Sequence, residues 1–195
     1  MDQFISESQP DPAAEQPTSL RHFLRDILET LVLSVVLFLV INGISARIRV
    51  ESISMQPTLF EGNFVLVNRI AYRIGEPGRG DVIVFRYPPD PDKEPYIKRV
   101  IGLPGDVVRV ENRQVLVNGF PLAESYIMAD PNYQGTWQVP EGSLFVLGDN
   151  RNNSSDSHSW GFVPVGNVIG KAEVVYWPPE QWQILNPSTA SAASP

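Results

Sequence analysis

Serine, lysine and histidine are the side chains in this sequence whose types and positions could support nucleophilic chemistry. Ser54 lies in the stretch from Glu51 to Gly62, E-S-I-S-M-Q-P-T-L-F-E-G, where a short alternating segment meets a hydrophobic turn. Pro57 has a fixed φ and disfavours helix at Gln56, so we expect Ser54 on a bend. A serine hydroxyl is a weak nucleophile until a neighbouring base activates it. A surface turn serine is therefore the alternative that this stretch leaves open.

Histidine offers few ways to supply that base. The sequence contains two histidines, of which His22 lies on the tail side of the apolar segment. This leaves His158 as the sole triad candidate, in the segment from Gly148 to Gly161, G-D-N-R-N-N-S-S-D-S-H-S-W-G. The local set of Ser154, Asp156 and His158 indicates a Ser-His-Asp triad only weakly, because triad partners normally come from distant segments. A calcium loop counted from Asp149 fails, since its third place is arginine and its sixth is serine. The sequence has no cysteine, which excludes thiolate nucleophiles, disulfides and Cys-based zinc sites, and we expect no metal and no cofactor.

Lysine is the other available base. Lys98 lies in the stretch Y-I-K-R-V-I-G-L-P-G-D, which begins at Tyr96. On a strand its side chain shares a face with Tyr96 and Val100. Such neighbours would partly desolvate the ammonium group, lower its pKa and allow the lysine to act as a neutral base. The alternative is a lysine whose stem covers an apolar face while its charged end stays in water.

Composition limits the classes of protein to which the chain can belong. It has 195 residues, of which 43% are hydrophobic and 19% charged, typical of one folded domain with an apolar appendage. The eighteen prolines predict many turns and few long helices. The formal charge of −7 disfavours binding to nucleic acid, which usually requires basic patches.

An uncharged segment at residues 30–46 is the candidate membrane span. As a helix it would be about 26 Å long, at the short end of what crosses a ~30 Å hydrocarbon core. It is apolar on all sides, which favours a helix surrounded by lipid over an amphipathic helix packed on the surface of a domain. A buried core helix and a cleavable signal peptide are the alternatives. Arginines flank both ends, so the distribution of basic residues leaves the orientation open.

Short apolar runs bounded by turn residues follow this segment and predict a mainly β fold, an antiparallel barrel-like or sandwich domain. We expect a disordered cytoplasmic tail at 1–26, a transmembrane anchor at 27–46, a catalytic β domain at 47–177 and a flexible tail at 178–195. A hairpin turn at residues 111–113 and a second turn with φ > 0 at Asn118-Gly119 are also predicted. The predicted strands are Arg47–Ile53, Phe64–Val67, Val82–Phe85, Val107–Val110, Gln114–Val117, Leu144–Leu147 and Val168–Trp177.

Four segments taken together resemble the ordered sequence boxes of type I signal peptidases. They are S-I-S-M-Q-P-T-L around Ser54, G-D-V-I-V-F from Gly80, Y-I-K-R-V-I-G-L-P-G-D around Lys98, and L-G-D-N-R-N-N-S-S-D-S-H-S-W-G-F-V-P from Leu147. The resemblance runs from the apolar segment to about Pro164. It implies a membrane-tethered β-fold serine protease that removes signal peptides with a Ser-Lys dyad.

The resemblance also implies roles for individual residues. Ser54 corresponds to the nucleophile and Lys98 to the general base. The Ser54 backbone N–H and the Ser52 hydroxyl would stabilise the oxyanion, and Ser154 would orient the lysine. Two acidic residues, Asp149 and Asp156, would support the site. Shallow pockets for small residues at the −1 and −3 positions of the substrate would be lined by Val50, Met55, Leu59, Tyr96 and Ile97.

Three features depart from the pattern of the large Gram-negative enzymes. One candidate span precedes the boxes instead of two. Fewer than fifty residues separate Lys98 from Gly148, so a large second domain is absent or reduced. His158 stands where some relatives carry arginine, which puts a salt bridge at that position in doubt. The chain is closer to the smaller single-span bacterial and cyanobacterial or plastid enzymes.

The expected protein is a single-pass membrane serine endopeptidase with a cytoplasmic N-terminus and its catalytic domain on the outer or lumenal side of a plasma or thylakoid membrane. Its expected partners are the lipid bilayer and exported preproteins with Ala-x-Ala-type cleavage sites, and no nucleic acid. The nearer alternatives are a Ser-Lys self-cleaving repressor and a mitochondrial inner-membrane peptidase. An alternative from another class is a membrane-tethered β module that binds a ligand without catalysis.

Overall fold

The computed structural model describes residues 20–185, so the predicted tails at 1–26 and 178–195 lie outside the described residues at 1–19 and at 186–195. The chain divides into two compact units between Ile41 and Asn42.

The helix α1 covers Leu20–Ile44 and begins seven residues before the predicted start of the anchor at residue 27. Its first two turns contain charged residues, and Arg25 donates to Glu29 one turn later at 2.7 Å, which favours helix. At ~1.5 Å per residue its length is about 38 Å, enough to cross a hydrocarbon core. Within residues 20–185 it is the one helix with the length and apolar composition of a membrane span. None of its residues is buried, which argues against the core-helix alternative.

The second unit is mainly antiparallel β, as the sequence predicts. The strands are β1 (Ser45–Arg49), β2 (Phe64–Asn68), β3 (Val82–Phe85), β4 (Tyr96–Gly102), β5 (Val107–Glu111), β6 (Gln114–Val117), β7 (Phe120–Pro121), β8 (Gly135–Gln138), β9 (Ser143–Leu147), β10 (Val163–Pro164), β11 (Val168–Trp177) and β12 (Gln183–Ile184). Short helices α2 (Ala71–Ile74) and α3 (Ser157–Trp160) lie in the connections. The larger sheet has the order β1-β2-β11-β3-β4-β9-β10, with β12 paired to β11, and a smaller sheet has the order β7-β6-β5-β8.

The predicted strand bounds agree with β3, β6 and β11 and are close for β2, β5 and β9. Both predicted turns have the backbone that a tight hairpin requires: φ is 50° at Asn112 and 64° at Arg113, and 54° at Asn118 and 85° at Gly119. The first predicted strand is displaced, since β1 covers Ser45–Arg49 and the chain leaves the sheet before Ser54.

The ordered fold extends past the predicted domain boundary at residue 177. A short 3₁₀ turn at residues 179–181 leads into β12, which pairs with β11. Leu185 is buried in the same core cluster as Met55 and Leu59. A single apolar residue at the end of a two-residue strand has no periodicity, so the sequence pattern did not reveal this segment.

Candidate active site

Ser54 lies in a loop that begins and ends on the edge of the larger sheet. The loop is closed at its base, where Val50 N–H donates to Asn63 O and Gly62 N–H donates to Val50 O, both at 2.8 Å. Met55 and Leu59 are fully buried and anchor the turn in the core. Ser54 is thus on a bend, as predicted, but only 6% of it is exposed, so it is not a surface serine.

Lys98 approaches Ser54 from the middle of the larger sheet. Its strand β4 pairs with β3 on one side and β9 on the other, so its backbone is held along both edges. The Nζ atom lies 2.7 Å from Ser54 Oγ and 2.9 Å from the carbonyl oxygen of Ile97. Lys98 is 4% exposed, so its amine does not reach bulk water. The two side chains are therefore placed as nucleophile and base would be.

Burial lowers the pKa of Lys98 from 10.5 to about 8. The nearby carboxylates of Asp156 and Asp149 oppose this shift, because they favour the charged amine. The ring of Tyr96, whose centroid is 5.4 Å from Nζ, also favours the charged form. Desolvation is the larger effect, so a substantial fraction of Lys98 is neutral near pH 8. A neutral amine has a lone pair that can accept the Ser54 hydroxyl proton.

Two hydrogen-bond donors lie beside the nucleophile. The Ser52 hydroxyl oxygen is 3.2 Å from Ser54 Oγ. The Ser54 backbone N–H donates to no acceptor within residues 20–185. A free N–H and a hydroxyl next to an attacking oxygen form the kind of pair that stabilises a tetrahedral oxyanion.

Asp149 links three segments of the site. Its carboxylate accepts two hydrogen bonds from Arg99, at 2.8 and 2.7 Å, and one from Thr58 Oγ1 at 2.5 Å. Asp149 and Arg99 are both buried. Arg99 follows Lys98 on β4, and Thr58 belongs to the same loop as Ser54, between β1 and β2. The Asp149 carboxylate therefore connects the strand that carries Lys98 to the loop that carries Ser54.

Asp156 stabilises the segment that follows β9. It accepts from Gly148 N–H at 2.9 Å and from His158 N–H at 3.2 Å, and it caps the N-terminus of α3. The His158 ring nitrogen Nδ1 lies 2.6 Å from the same carboxylate, and the ring stacks on Tyr133 at 4.0 Å. At position 158, where the replacement of arginine by histidine put a salt bridge in doubt, the His158 ring thus still contacts a carboxylate.

Ser154 does not form the expected hydrogen bond with Lys98. Its hydroxyl oxygen is buried and has no hydrogen-bond partner in the part of the chain that the structure describes. It nevertheless lies next to the nucleophile, because a methyl group placed on Gly148 would overlap both the Ser154 hydroxyl and the Ser54 carbonyl oxygen. Glycine at position 148 allows this approach. The same geometry shows no local triad, since His158 contacts Asp156 and Ser154 contacts neither.

A cleft of about 670 Å³ opens beside Ser54 and Lys98. One wall is formed by residues 47–54 and the other by residues 94–98, with Asn153 and Ser155 completing it. Three of the five side chains predicted to form substrate pockets, Val50, Tyr96 and Ile97, line this cleft. Met55 and Leu59 do not line it, because both are fully buried in the core beneath the turn.

Several residues that hold the site together were not identified from the sequence. Arg99 and Thr58 contact Asp149, and the Gln183 side chain donates to the carbonyl oxygen of Thr58 at 2.7 Å. Arg99 had a detectable signal: strand alternation puts it on the face opposite Lys98 beside apolar residues, and a buried arginine requires a carboxylate partner. Thr58 and Gln183 had none, because their contacts join segments far apart in the chain.

Comparison with known proteins identifies the family of this chain. Residues 24–177 match the family described as signal peptidase, peptidase S26. The chain is 47% identical over 185 residues to signal peptidase I of Leptolyngbya laminosa, which covers 90% of each chain. It is 46% identical over 157 residues to probable signal peptidase I-2 of Synechocystis sp., covering 77% of this chain and 72% of that protein. A solved signal peptidase I from Enterococcus faecalis is 34% identical, with a TM-score of 0.46, and covers 50% of this chain and 97% of that one. The family match extends over most of the chain and includes both Ser54 and Lys98, so the chain belongs to the signal peptidase family, peptidase S26, whose members are hydrolases.

Proposed function

We propose that this chain is a membrane-anchored signal peptidase that cleaves exported preproteins with Ser54 as nucleophile and Lys98 as general base. The observation that carries the proposal is the 2.7 Å separation of Lys98 Nζ and Ser54 Oγ in a buried site. Burial lowers the pKa of Lys98 to about 8, which makes its neutral form accessible. A general base works best when its pKa lies near the working pH.

The reaction begins when Ser54 Oγ attacks the carbonyl carbon of the scissile peptide bond and its proton passes to Lys98 Nζ. The carbonyl oxygen becomes an oxyanion, which accepts hydrogen bonds from Ser54 N–H and the Ser52 hydroxyl. Collapse of this intermediate breaks the C–N bond, and Lys98 returns the proton to the leaving amine. Water then attacks the acyl-enzyme with Lys98 again as base, which releases the new carboxylate and regenerates Ser54. Ser154 is a candidate to orient Lys98 during these steps, since its hydroxyl lies near the site without a partner.

The substrate binds as an extended segment in the cleft between residues 47–54 and residues 94–98. Val50, Tyr96 and Ile97 provide the apolar surface, which suits small side chains at −1 and −3, as in an Ala-x-Ala site. Met55 and Leu59 shape this surface from below by fixing the turn, because both are buried under it.

The helix α1 anchors the enzyme in the bilayer, with the N-terminus in the cytoplasm and the catalytic unit on the outer or lumenal side of a plasma or thylakoid membrane. Its length and composition support this assignment. The β unit also exposes large apolar side chains at the end of β11 and along the segment that follows, which favours a lipid surface as a partner: Trp177, Trp182 and Ile184.

A mechanism-based acylating probe tests the proposal directly. We expect the purified full-length protein in detergent to be labelled covalently and to cleave a preprotein, and Ser54→Ala to lose both activities. Ser52→Ala should slow turnover by roughly 10–1,000-fold, the loss of one oxyanion donor or somewhat less. Ser143→Ala, at the far end of β9, is the matched serine control. Wild-type turnover by Ser54→Ala would refute the nucleophile assignment, and an unlabelled wild-type protein would favour a ligand-binding module.

A further inference from the structure

Asn150 makes two hydrogen bonds to the backbone around the nucleophile. Its N–H donates to the Ser54 carbonyl oxygen at 3.0 Å, and its side-chain Nδ2 donates to the Ile53 carbonyl oxygen at 3.2 Å. Ile53 and Ser54 share one peptide unit, in which the Ile53 C=O and the Ser54 N–H point in opposite directions because the unit is planar and trans. A hydrogen bond that fixes this carbonyl also fixes the direction of the Ser54 N–H.

The Ile53 carbonyl has a second donor, the Gln56 N–H at 3.1 Å. That bond closes the turn from within the nucleophile loop. The bond from Asn150 comes instead from the segment after β9, which Asp149 and Asp156 hold in place. The Ser54 peptide is thus held from both sides, while its N–H donates to no acceptor within residues 20–185.

The Asn150 side chain is itself oriented by a neighbour. Asn153 Nδ2 donates to Asn150 Oδ1 at 3.4 Å, and Asn153 N–H donates to the Asn150 carbonyl oxygen at 3.0 Å. With Oδ1 engaged, the amide presents Nδ2 to Ile53. This arrangement gives the Asn150 side chain a defined direction.

We propose that Asn150 is a positioning residue for the oxyanion site, which aims the Ser54 N–H by holding the Ile53 carbonyl oxygen. This inference rests on the proposed function, because it assigns the Ser54 N–H to the oxyanion. Asn150 does not touch the substrate in this role. Its effect is realised in the transition state, when charge develops on the oxygen that the Ser54 N–H binds.

The test compares Asn150→Ala with Asn152→Ala in the full-length enzyme. Both substitutions remove an asparagine side chain from the same loop, but Asn152 bonds to Asp130 and Asn132, away from Ser54. We expect Asn150→Ala to lower kcat about tenfold, the effect of one ordinary hydrogen bond, with KM unchanged. Asn152→Ala should keep the wild-type kcat. The pH midpoint of kcat/KM should stay the same in both variants, because Lys98 is not affected.

A pair of inhibitors separates positioning from general disruption. A peptide aldehyde forms a hemiacetal with Ser54, whose oxygen occupies the oxyanion site, whereas the corresponding peptide alcohol binds only through the cleft. The affinity of Asn150→Ala for the aldehyde should fall by the same factor as kcat, and its affinity for the alcohol should not change. Should this variant fail to fold, Asn150→Leu decides the matter, since it keeps nearly the same size and the backbone bond, has no side-chain donor and adds no charge beside Lys98.

An unchanged kcat, equal losses of aldehyde and alcohol affinity, or a shifted pH midpoint would overturn the role of Asn150. These outcomes leave the proposed function intact as long as Ser54→Ala is inactive. An active Ser54→Ala enzyme would instead refute the proposed function itself.

Discussion

Lys98 Nζ lies 2.7 Å from Ser54 Oγ, although the two residues are 44 positions apart in the chain. The amine is desolvated by its surroundings and, among the described residues, donates two hydrogen bonds, to the Ser54 hydroxyl and to the Ile97 carbonyl oxygen. The proposed base is therefore both close to the proposed nucleophile and shifted toward its neutral form.

The first prediction concerns the dependence of activity on pH. We expect kcat/KM to rise with pH with a midpoint of about 8, because Lys98 must lose its proton before it can accept one from Ser54. Lys98→Arg should be inactive, since a guanidinium does not deprotonate in this range. The measurement is the pH–rate profile of preprotein cleavage. A midpoint that disappears in His158→Ala would identify histidine as the base instead.

The second prediction is a stability effect of the same group. The pKa of Lys98 is about 8 in the folded chain and about 10.4 when unfolded, so between these values the unfolded chain binds more protons. The free energy of unfolding contributed by this lysine should therefore increase with pH, by on the order of 3 kcal/mol over the whole interval. Buried tyrosines have the opposite effect at high pH, because burial raises the pKa of Tyr72 and Tyr126.

A comparison of the wild type with Lys98→Met cancels the contribution of these tyrosines to the pH dependence of stability, because both proteins contain them. Urea unfolding at pH 7.5 and pH 9.5, on either side of the ~8 midpoint, gives the difference between the two proteins in their free energy of unfolding. We expect the stability of the wild type to rise relative to Lys98→Met as pH increases. A difference that stays constant with pH would mean that Lys98 has an ordinary pKa.

The third prediction tests the buried pair of Asp149 and Arg99. Asp149→Ala leaves the Arg99 charge buried without its partner, so we expect a loss of about 3–5 kcal/mol in the free energy of unfolding. This is a large share of the ~5–15 kcal/mol that holds a typical domain together. Asp90→Ala is the control, because Asp90 and Lys93 form a half-exposed pair at 3.8 Å. Its effect should be below about 1 kcal/mol. Equal effects of the two substitutions, measured by urea unfolding, would contradict the role of Asp149.

The fourth prediction concerns the anchor. Alkaline carbonate extraction of membranes should leave the full-length protein in the membrane fraction. Val36→Lys combined with Leu37→Lys puts two charges in the middle of α1, each costing about 2.5–3.5 kcal/mol on insertion, and should release the protein. Release of the unchanged protein would count against a membrane span.

The fifth prediction concerns substrate size. Cleavage should be fastest after alanine, glycine or serine and should decline in graded steps, because a methylene in an apolar pocket is worth only ~1–3 kcal/mol. Ile97→Ala should improve cleavage after valine, since Ile97 lines the cleft. Ile74→Ala, the same substitution at a highly exposed site, should not. Efficient cleavage after lysine or phenylalanine would indicate a different protease specificity.

Local patterns in the sequence predicted the strands well where they form central or hairpin segments. Val82–Phe85 is a continuous apolar run, and β3 is buried on both faces. Asn118-Gly119 predicts its turn because these residues accept positive φ. The strand β8 was missed, since Gly135–Gln138 alternates without a strong apolar pattern and is held by pairing with β5. Sheet order could not be predicted from such patterns, because pairing partners lie far apart in the chain.

For the site, residue types together with the family resemblance predicted Ser54 and Lys98 as neighbours, and the structure brings them together. Residue types alone left an alternative for each: a surface turn serine for Ser54, and a lysine with its charged end in water for Lys98. Strand alternation could have indicated a buried Arg99 in need of a carboxylate partner, but Thr58 could be recognised as a partner of Asp149 only once the three segments meet. The burial of Met55 and Leu59 could not be predicted from the sequence either, because an apolar residue in the turn that follows Ser54 can face a cleft or the core.

The contacts that assemble the site span long stretches of chain: 44 positions for Lys98 and Ser54, 50 for Arg99 and Asp149, and 91 for Thr58 and Asp149. Contacts of this kind form late, because the entropy of closing long loops must first be overcome. Until they form, the lysine is hydrated and charged and the serine has no base. With Ser54 and Lys98 as the proposed catalytic pair, we expect a newly made chain to gain peptidase activity only when folding brings these distant segments together.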